Sequence, residues 1–129
     1  MNQRTSLFWG AVLGGAAVAI GAFGAHALKP MLLAAEREDT FELAVRYQFY
    51  HALALLIVGL LGGHSQSKLL NYSAIFFLVG ILIFSGSLYV LCMTGYSWLG
   101  AITPFGGISF LAGWILLALA IGKVSSLQR

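Results

Sequence analysis

Charged side chains are scarce in this sequence: seven Lys or Arg and four Asp or Glu stand among 129 residues, which is 9% of the chain. Soluble domains carry about 25% charged residues, because their surfaces must be hydrated. Hydrophobic residues make up 60% of the chain. So few charges cannot cover the surface of a soluble globule, and the length fits one domain rather than two.

Cysteine and the common catalytic motifs are also lacking. The single cysteine, Cys92, excludes an intrachain disulfide. The sequence contains no glycine-rich phosphate loop, no paired carboxylates and no nucleophile elbow. Its basic residues form no patch, which argues against a nucleic-acid partner. We therefore predict a protein that is not an enzyme and that holds no cofactor and no metal.

Four long apolar runs remain, at about residues 7–28, 41–63, 72–93 and 104–122. A hydrocarbon core of about 30 Å is crossed by about 20 helical residues, each rising 1.5 Å. We predict a single-domain, all-α membrane protein with four transmembrane helices in a bundle and both termini on one side. Thr103-Pro104 is typical of a helix start, and Asp39-x-x-Glu42 predicts a capping box for the second helix.

The first run also has features of a secretory signal. Arg4 precedes it, and Ala25-His26-Ala27 imitates a cleavage site. However, about 19 apolar residues precede that site, more than a signal normally has, and three further apolar runs follow. We predict that the first run is a transmembrane helix that is retained.

The basic residues divide unevenly between the two sides of a four-span protein. One side holds Arg4, Lys68, Lys123 and Arg129. The other side holds Lys29, Arg37 and Arg46. The positive-inside rule then predicts cytoplasmic termini.

A row of small residues runs along one face of the first predicted helix. Its members, three or four residues apart, are Gly10, Gly14, Ala17, Gly21 and Gly24. Lipid tails are as apolar as leucine, so helices in a membrane associate through the close backbone approach that small residues permit. We interpret the row as a helix-packing seam, inside the subunit or between subunits, rather than as the wall of a pore or lipid site.

The second run carries polar residues into the membrane. His51 lies thirteen residues before His64, which marks the far interface. That separation is about 20 Å along a helix, so His51 lies about 10 Å below the opposite surface of a ~30 Å core. Gln48 lies one turn before His51, and Glu42 and Arg46 have the spacing of an ion pair.

A candidate functional cluster follows, because polar groups in hydrocarbon normally face the bundle interior and often mark function. Its members are His26, Lys29, Glu42, Arg46, Tyr47, Gln48 and His51. The competing interpretation is structural: Gln48 and His51 pin helices together by hydrogen bonds, with Ser85 or Ser87 as partners. We favour the structural interpretation, since two histidines on different helices are a weak metal signal.

The segment between the first two runs, residues 29–40, is apolar in its first half and charged in its second. This pattern predicts a short amphipathic helix at the membrane surface. A loop that docks a partner is the alternative.

Four stretches of the chain resemble a known family. Residues 21–29 read GAFGAHALK, and residues 41–55 contain F-x-x-A-V-R-Y-Q-x-Y-H-A-L-A-L. Together with FSGSLY at 84–89 and ITPFGG at 102–107, they look like the YgdD-like family of small bacterial inner-membrane proteins. The resemblance covers nearly the whole chain.

This resemblance implies four spans and a bacterial inner (plasma) membrane location. It implies no activity, because the family is defined by a domain of unknown function. The family's motif positions fall on His26, Lys29, Arg46, Tyr47, Gln48, His51 and Pro104.

Three hypotheses about function remain. The leading one is a non-enzymatic protein of the lipid bilayer that self-associates as a homo-oligomer or is an accessory subunit of another membrane protein. The second is a small-solute or proton-linked transporter or channel that uses residues 46–51. The third is a haem- or metal-binding membrane subunit.

Overall fold

The structure is a computed structural model that describes residues 1–64 and 67–127, and only the backbone of residues 124–127. Helices account for nearly all of the described chain. In order they are α1 (Gln3–Ala25), α2 (Lys29–Ala34), α3 (Glu38–Gly62), α4 (Lys68–Gly80), a π-helical stretch (Ile81–Ser85), α5 (Gly86–Thr94), a 3₁₀ turn (Ser97–Ala101) and α6 (Thr103–Leu127).

Within the described residues, four helical segments are long and apolar enough to cross a membrane. They are Gln3–Ala25, Glu38–Gly62, Lys68–Thr94 and Ser97–Lys123, here called the first to fourth spans. The third span joins α4, the π-helical stretch and α5, and the fourth joins the 3₁₀ turn and α6. The predicted all-α fold with four spans is confirmed.

Side-chain caps move two helix starts beyond the predicted apolar runs. The Asn2 side chain accepts a hydrogen bond from the backbone N–H of Thr5 at 2.9 Å, so α1 begins at Gln3 instead of residue 7. Ser67 accepts one from Leu69 at 3.2 Å, so the third span begins before residue 72. Hydropathy marks the part of a helix that lies in hydrocarbon, whereas a cap decides where the helix begins.

The start of α3 corrects one prediction. The helix begins at Glu38 after Arg37, with no side-chain cap, so the capping box at Asp39 and Glu42 is wrong. Asp39 lies in the first turn, where a negative charge interacts favourably with the helix N-terminus. The start predicted at Thr103 is observed in α6.

The spans pack mainly in chain order, the first against the second, the second against the third and the third against the fourth. In the most apolar window of the first span, 17% of residues are buried, against 44% in the second and third, so the first span is peripheral. The second is central because it packs against both the first and the third. The N-terminal amine lies 3.4 Å from the Asn71 carbonyl, beside the start of the third span. Arg129, one of the charges used to predict orientation, lies outside the described residues.

Gly10 and Gly21 of α1 face α3. A Cβ atom added at Gly10 would lie 2.8 Å from Cγ of Leu56 and 3.0 Å from the carbonyl oxygen of Ala52. A Cβ at Gly21 would lie 3.2 Å from Val45. Both helices therefore approach more closely than a larger residue would allow.

The rest of the seam has the same neighbour. Ala17 is buried, Gly24 lies against the ring of Phe41, and Gly14 is looser, with its added Cβ 3.8 Å from Ala52. Of the two packing alternatives, the described structure places the seam inside the subunit.

The short helix α2 covers only the apolar first half of the segment at 29–40 that was predicted to be one amphipathic helix, because the charged residues from Glu38 onward belong to α3. Pro30 lies in its first turn, where the missing N–H costs no helical hydrogen bond. Leu32 is fully buried and packs in one cluster with Phe41 and Cys92, whereas Leu33 is exposed. One face of α2 thus closes the end of the bundle.

The π-helical stretch in the third span has no counterpart in the sequence predictions. A π turn inserts an extra residue and widens the helix locally. Ser85, at its end, is fully buried and donates a hydrogen bond to the Ala44 carbonyl of α3 at 2.7 Å. The pattern of apolar and polar residues in the sequence does not predict such a turn.

We expect Gly10→Ala to lower the free energy of unfolding by about 1–3 kcal/mol, because the new methyl group overpacks the α1–α3 contact. Gly15→Ala is the matched control, since Gly15 lies on the same helix with nothing within 4 Å of an added Cβ. In Gly15→Ala the free energy of unfolding should stay unchanged or rise by up to about 1 kcal/mol. Denaturant unfolding in detergent measures the free energy of unfolding of both variants. Equal changes in the two would contradict close packing of α1 against α3 at the seam.

Candidate functional site

Gln48 joins three spans through one amide. Its side chain is 3% exposed. The Nε2 atom donates to the Leu13 carbonyl of α1 at 2.9 Å, and Oε1 accepts a hydrogen bond from the hydroxyl of Tyr89, on α5, at 2.7 Å. Gln48 itself lies on α3, so the first, second and third spans meet at this residue.

His51 lies one turn further along α3 and is 5% exposed. Its Nδ1 atom is 2.7 Å from the Tyr47 carbonyl, and its Nε2 atom is 3.1 Å from Nε1 of Trp114 on α6. A carbonyl only accepts and an indole N–H only donates, so these partners assign the proton to Nδ1 and leave Nε2 as the acceptor. His51 is therefore a neutral imidazole that links the second span to the fourth.

Aromatic rings enclose the imidazole. The ring of Phe110 is stacked on that of His51, with centroids 3.5 Å apart and an angle of 7° between the planes. Phe77 and Trp114 approach at centroid distances of 5.6 Å and 6.0 Å. Tyr47 is stacked on Phe84 of the π-helical stretch at 4.8 Å.

We call Gln48 and His51, with the partners Leu13, Tyr89 and Trp114, the polar clamp. Its hydrogen bonds connect the central second span to each of the other three. In water, such hydrogen bonds compete with hydrogen bonds to solvent. In the hydrocarbon core there is no solvent, so a polar group that loses its protein partner is left unsatisfied. The clamp thus fixes how the four spans are arranged.

Serine hydroxyls add further bonds between spans. Ser73 donates to the Gly113 carbonyl at 2.8 Å, and Ser109 donates to that of Phe76 at 2.7 Å. In the part of the chain that the structure describes, no buried side-chain nitrogen or oxygen lacks a hydrogen-bond partner.

The serines named as partners for the clamp bond elsewhere. Ser85 donates to the Ala44 carbonyl, and Ser87 shares a 2.7 Å hydrogen bond with Thr103. The roles expected for them belong instead to Tyr89 and Trp114.

The other members of the predicted cluster lie nearer the surface. Nη2 of Arg46 is 2.6 Å from Oε2 of Glu42, as their spacing predicts, and the two side chains are 60% and 53% exposed. An exposed helical pair of this kind contributes about 0.3–0.5 kcal/mol.

A cleft between α1, α2 and α3 contains this pair. Its volume is about 320 Å³, and its charged lining residues are Lys29, Glu38, Glu42 and Arg46. Glu38 was not singled out from the sequence, because its place beside the cleft depends on how α2 turns back.

His26 joins neither group. It ends α1, and its side chain is exposed, whereas that of His51 is enclosed by aromatic rings. Among residues 1–64 and 67–123, no three His, Cys, Asp or Glu side chains lie close enough together to hold a metal ion. The predicted cluster therefore separates into the clamp, the cleft and two residues outside both: His26, and Tyr47, whose carbonyl bonds His51 and whose ring is stacked on Phe84.

Tyr89 and Trp114 are the functional partners that the sequence analysis missed. Each is an aromatic residue with one polar group inside an apolar run, and buried Tyr and Trp usually find a hydrogen-bond partner. That rule marks both residues as polar, but only the packing of the third and fourth spans shows which acceptor each one meets.

Comparison with known proteins places the chain in a family. Residues 20–107 match the family model described as "Protein of unknown function (DUF423)". A UPF0382 membrane protein of Staphylococcus epidermidis is 44% identical, over 94% of this chain and 98% of the relative. One from Staphylococcus saprophyticus is 42% identical, over 95% of this chain and all of the relative.

A further relative is the UPF0382 inner membrane protein YgdD of Escherichia coli, which is 38% identical over 91% of this chain and 88% of its own length. No solved structure matches the chain. The chain belongs to the DUF423 family, which confirms the resemblance. With its four apolar spans, it is a multi-pass protein of the bacterial inner membrane.

A double-mutant cycle tests the clamp. We expect Gln48→Leu and Tyr89→Phe each to lower the free energy of unfolding by about 1 kcal/mol, because each breaks a hydrogen bond between spans. The double variant's loss of unfolding free energy should be smaller than the sum of the two single losses by about 0.6–1.7 kcal/mol. The reason is that both changes remove the same hydrogen bond.

The matched control for the cycle is Tyr96→Phe, which removes an exposed hydroxyl. Alone it should leave the unfolding free energy unchanged, and added to Gln48→Leu it should cause no loss beyond that of Gln48→Leu itself. If the losses at Gln48 and Tyr89 simply add, the two side chains are not coupled and the clamp is refuted.

Proposed function

We propose that this DUF423 protein is a non-catalytic accessory protein of the inner membrane, which acts by contact with another membrane protein. One observation carries the proposal: the polar residues deepest in the membrane, Gln48 and His51, are used in holding the four spans together. Polar residues in hydrocarbon are the usual place to seek an activity, and here they have a structural task.

The geometry of His51 supports this role over a proton or solute path through residues 46–51. A proton relay needs a ring nitrogen that can exchange its partner, and both nitrogens of His51 have one within 3.1 Å. The stacked Phe110 ring covers one face of the imidazole. Both ends of the Gln48 amide are engaged within the bundle, Nε2 with the Leu13 carbonyl and Oε1 with the Tyr89 hydroxyl.

The same contacts weigh against the haem or metal hypothesis. A histidine ligand binds metal through an unprotonated ring nitrogen. In His51 that nitrogen is Nε2, which accepts the hydrogen bond from Trp114. Metal binding at Nε2 would therefore break the hydrogen bond that joins the second span to the fourth.

The homo-oligomer stays a prediction. The small-residue seam of α1 favours self-association only if it is free, and that seam packs against α3. Self-association would need a different surface, whereas an accessory role does not depend on the seam.

Reconstitution in liposomes tests the transport alternative. With a pH-sensitive dye inside and an imposed proton gradient, we expect vesicles holding the protein to leak no faster than protein-free vesicles. His51→Ala should leave the rate unchanged, as should the control His64→Ala, whose side chain is exposed. A proton flux that His51→Ala abolishes and His64→Ala retains would overturn the proposal.

An accessory role also predicts a larger particle in the native membrane. We expect the protein extracted from its own membrane in mild detergent to migrate, on native gels, as a larger species than the purified protein in the same detergent. Identical migration would contradict association with another membrane protein.

A further inference from the structure

The charged cleft continues into an apolar groove. The groove has a volume of about 290 Å³ and shares Gly21, Val45 and Arg46 with the cleft. Its remaining lining residues are apolar or aromatic: Ala17, Val18, Phe49 and Tyr50. Each space is close to the lower end of the ~300–1,000 Å³ typical of ligand pockets.

The two spaces are arranged along the spans. The charged cleft lies beside α2, at the end where α1 stops and α3 begins. The groove runs from there toward mid-membrane, because Ala17 on α1 and Phe49 on α3 each lie four residues, or about 6 Å, farther from the α2 end than Gly21 and Val45. A phospholipid has the same polarity, with its headgroup at the surface and its acyl chains inward.

The charges of the cleft are balanced. Lys29 and Arg46 are basic, and Glu38 and Glu42 are acidic. Arg46 pairs with Glu42 at an exposed position, while Lys29 has no ion-pair partner in the described part of the chain. An ion pair open to water exchanges partners at little cost, since it contributes only about 0.3–0.5 kcal/mol.

A ligand that complements the charged lining of the cleft carries both a positive and a negative charge. Lys and Arg bind phosphate oxygens, Arg by two parallel hydrogen bonds. The two carboxylates accept hydrogen bonds and attract a cation. A purely anionic headgroup would bring its charge against Glu38 and Glu42, and a quaternary ammonium would offer them no N–H donor.

We infer that the cleft binds the headgroup of a zwitterionic phospholipid with a primary ammonium, phosphatidylethanolamine, and that one acyl chain lies in the groove between α1 and α3. Lys29 and Arg46 hold the phosphate, and Glu38 and Glu42 hold the ammonium. This site does not depend on the proposed accessory role, since a bundle of any function could carry it.

Native mass spectrometry of the purified, delipidated protein tests the site. Phosphatidylethanolamine, phosphatidylcholine and phosphatidylglycerol with identical acyl chains are titrated in the same detergent. We expect phosphatidylethanolamine to bind most tightly, and Lys29→Gln to weaken its binding about fivefold. Lys68→Gln, a change at an exposed lysine at the start of α4, is the matched control and should change nothing.

Two further variants separate charge from shape. Glu38→Lys should turn the preference toward phosphatidylglycerol, because the wall then carries a net positive charge. Val18→Trp should weaken all three lipids by filling the groove, whereas Val12→Trp, exposed on the same helix, should not. Melting temperatures of every variant establish that the protein is folded.

Three outcomes would overturn the inference. Equal binding of the three lipids would mean that the contacts are those of any bilayer lipid. Tighter binding of phosphatidylglycerol to the unaltered protein would mean that the carboxylates take no part. Equal effects of Lys29→Gln and Lys68→Gln would mean that the cleft is not where the lipid binds.

Discussion

Hydrogen bonding without water is the constraint on which this structure depends. A polar side chain in hydrocarbon has no solvent to return to, so it must find its partner on another helix or in its own backbone. Gln48 and His51 meet this requirement by reaching the first, third and fourth spans from the second. Because their partners lie on three different helices, the bonds also fix which helix stands where. The central position of α3 follows from its carrying both residues.

Close packing and the polar clamp both hold α1 against α3, at different positions along the helix. Hydrophobic burial gives helices little reason to associate inside a bilayer, since lipid tails are as apolar as side chains. The first span is peripheral and is held to α3 in two ways: through glycines that let the backbones approach, and through the Gln48 amide at Leu13. Around Gly21 the same pair of helices lines the charged cleft and its apolar groove. One helix pair therefore provides both cohesion and a surface that lipids can reach.

The polar residues separate by depth into two groups with different chemistry. Within the bundle, neutral groups with matched donors and acceptors pack among aromatic rings, as in the pairing of His51 with Trp114. At the end near α2, charged groups remain half exposed, as in the pair of Glu42 and Arg46. The first arrangement suits a fixed structure, and the second suits exchangeable contact with a charged ligand. This difference is why we assign holding the fold to one group and recognition to the other.

Composition and run length were enough to determine four spans and their order, because a bilayer demands about 20 apolar residues wherever a helix crosses it. The periodicity of the small residues identified the face of α1 that packs, and depth alone showed that Gln48 and His51 need partners. Only the tertiary structure decided what those partners are. Tyr89 and Trp114 lie 41 and 63 residues from the groups they bond, and no local pattern encodes such a separation. It likewise decided that the seam faces α3, that His26 stands apart from His51, and that Glu38 joins Lys29 at one cleft, because each depends on how whole helices turn against one another.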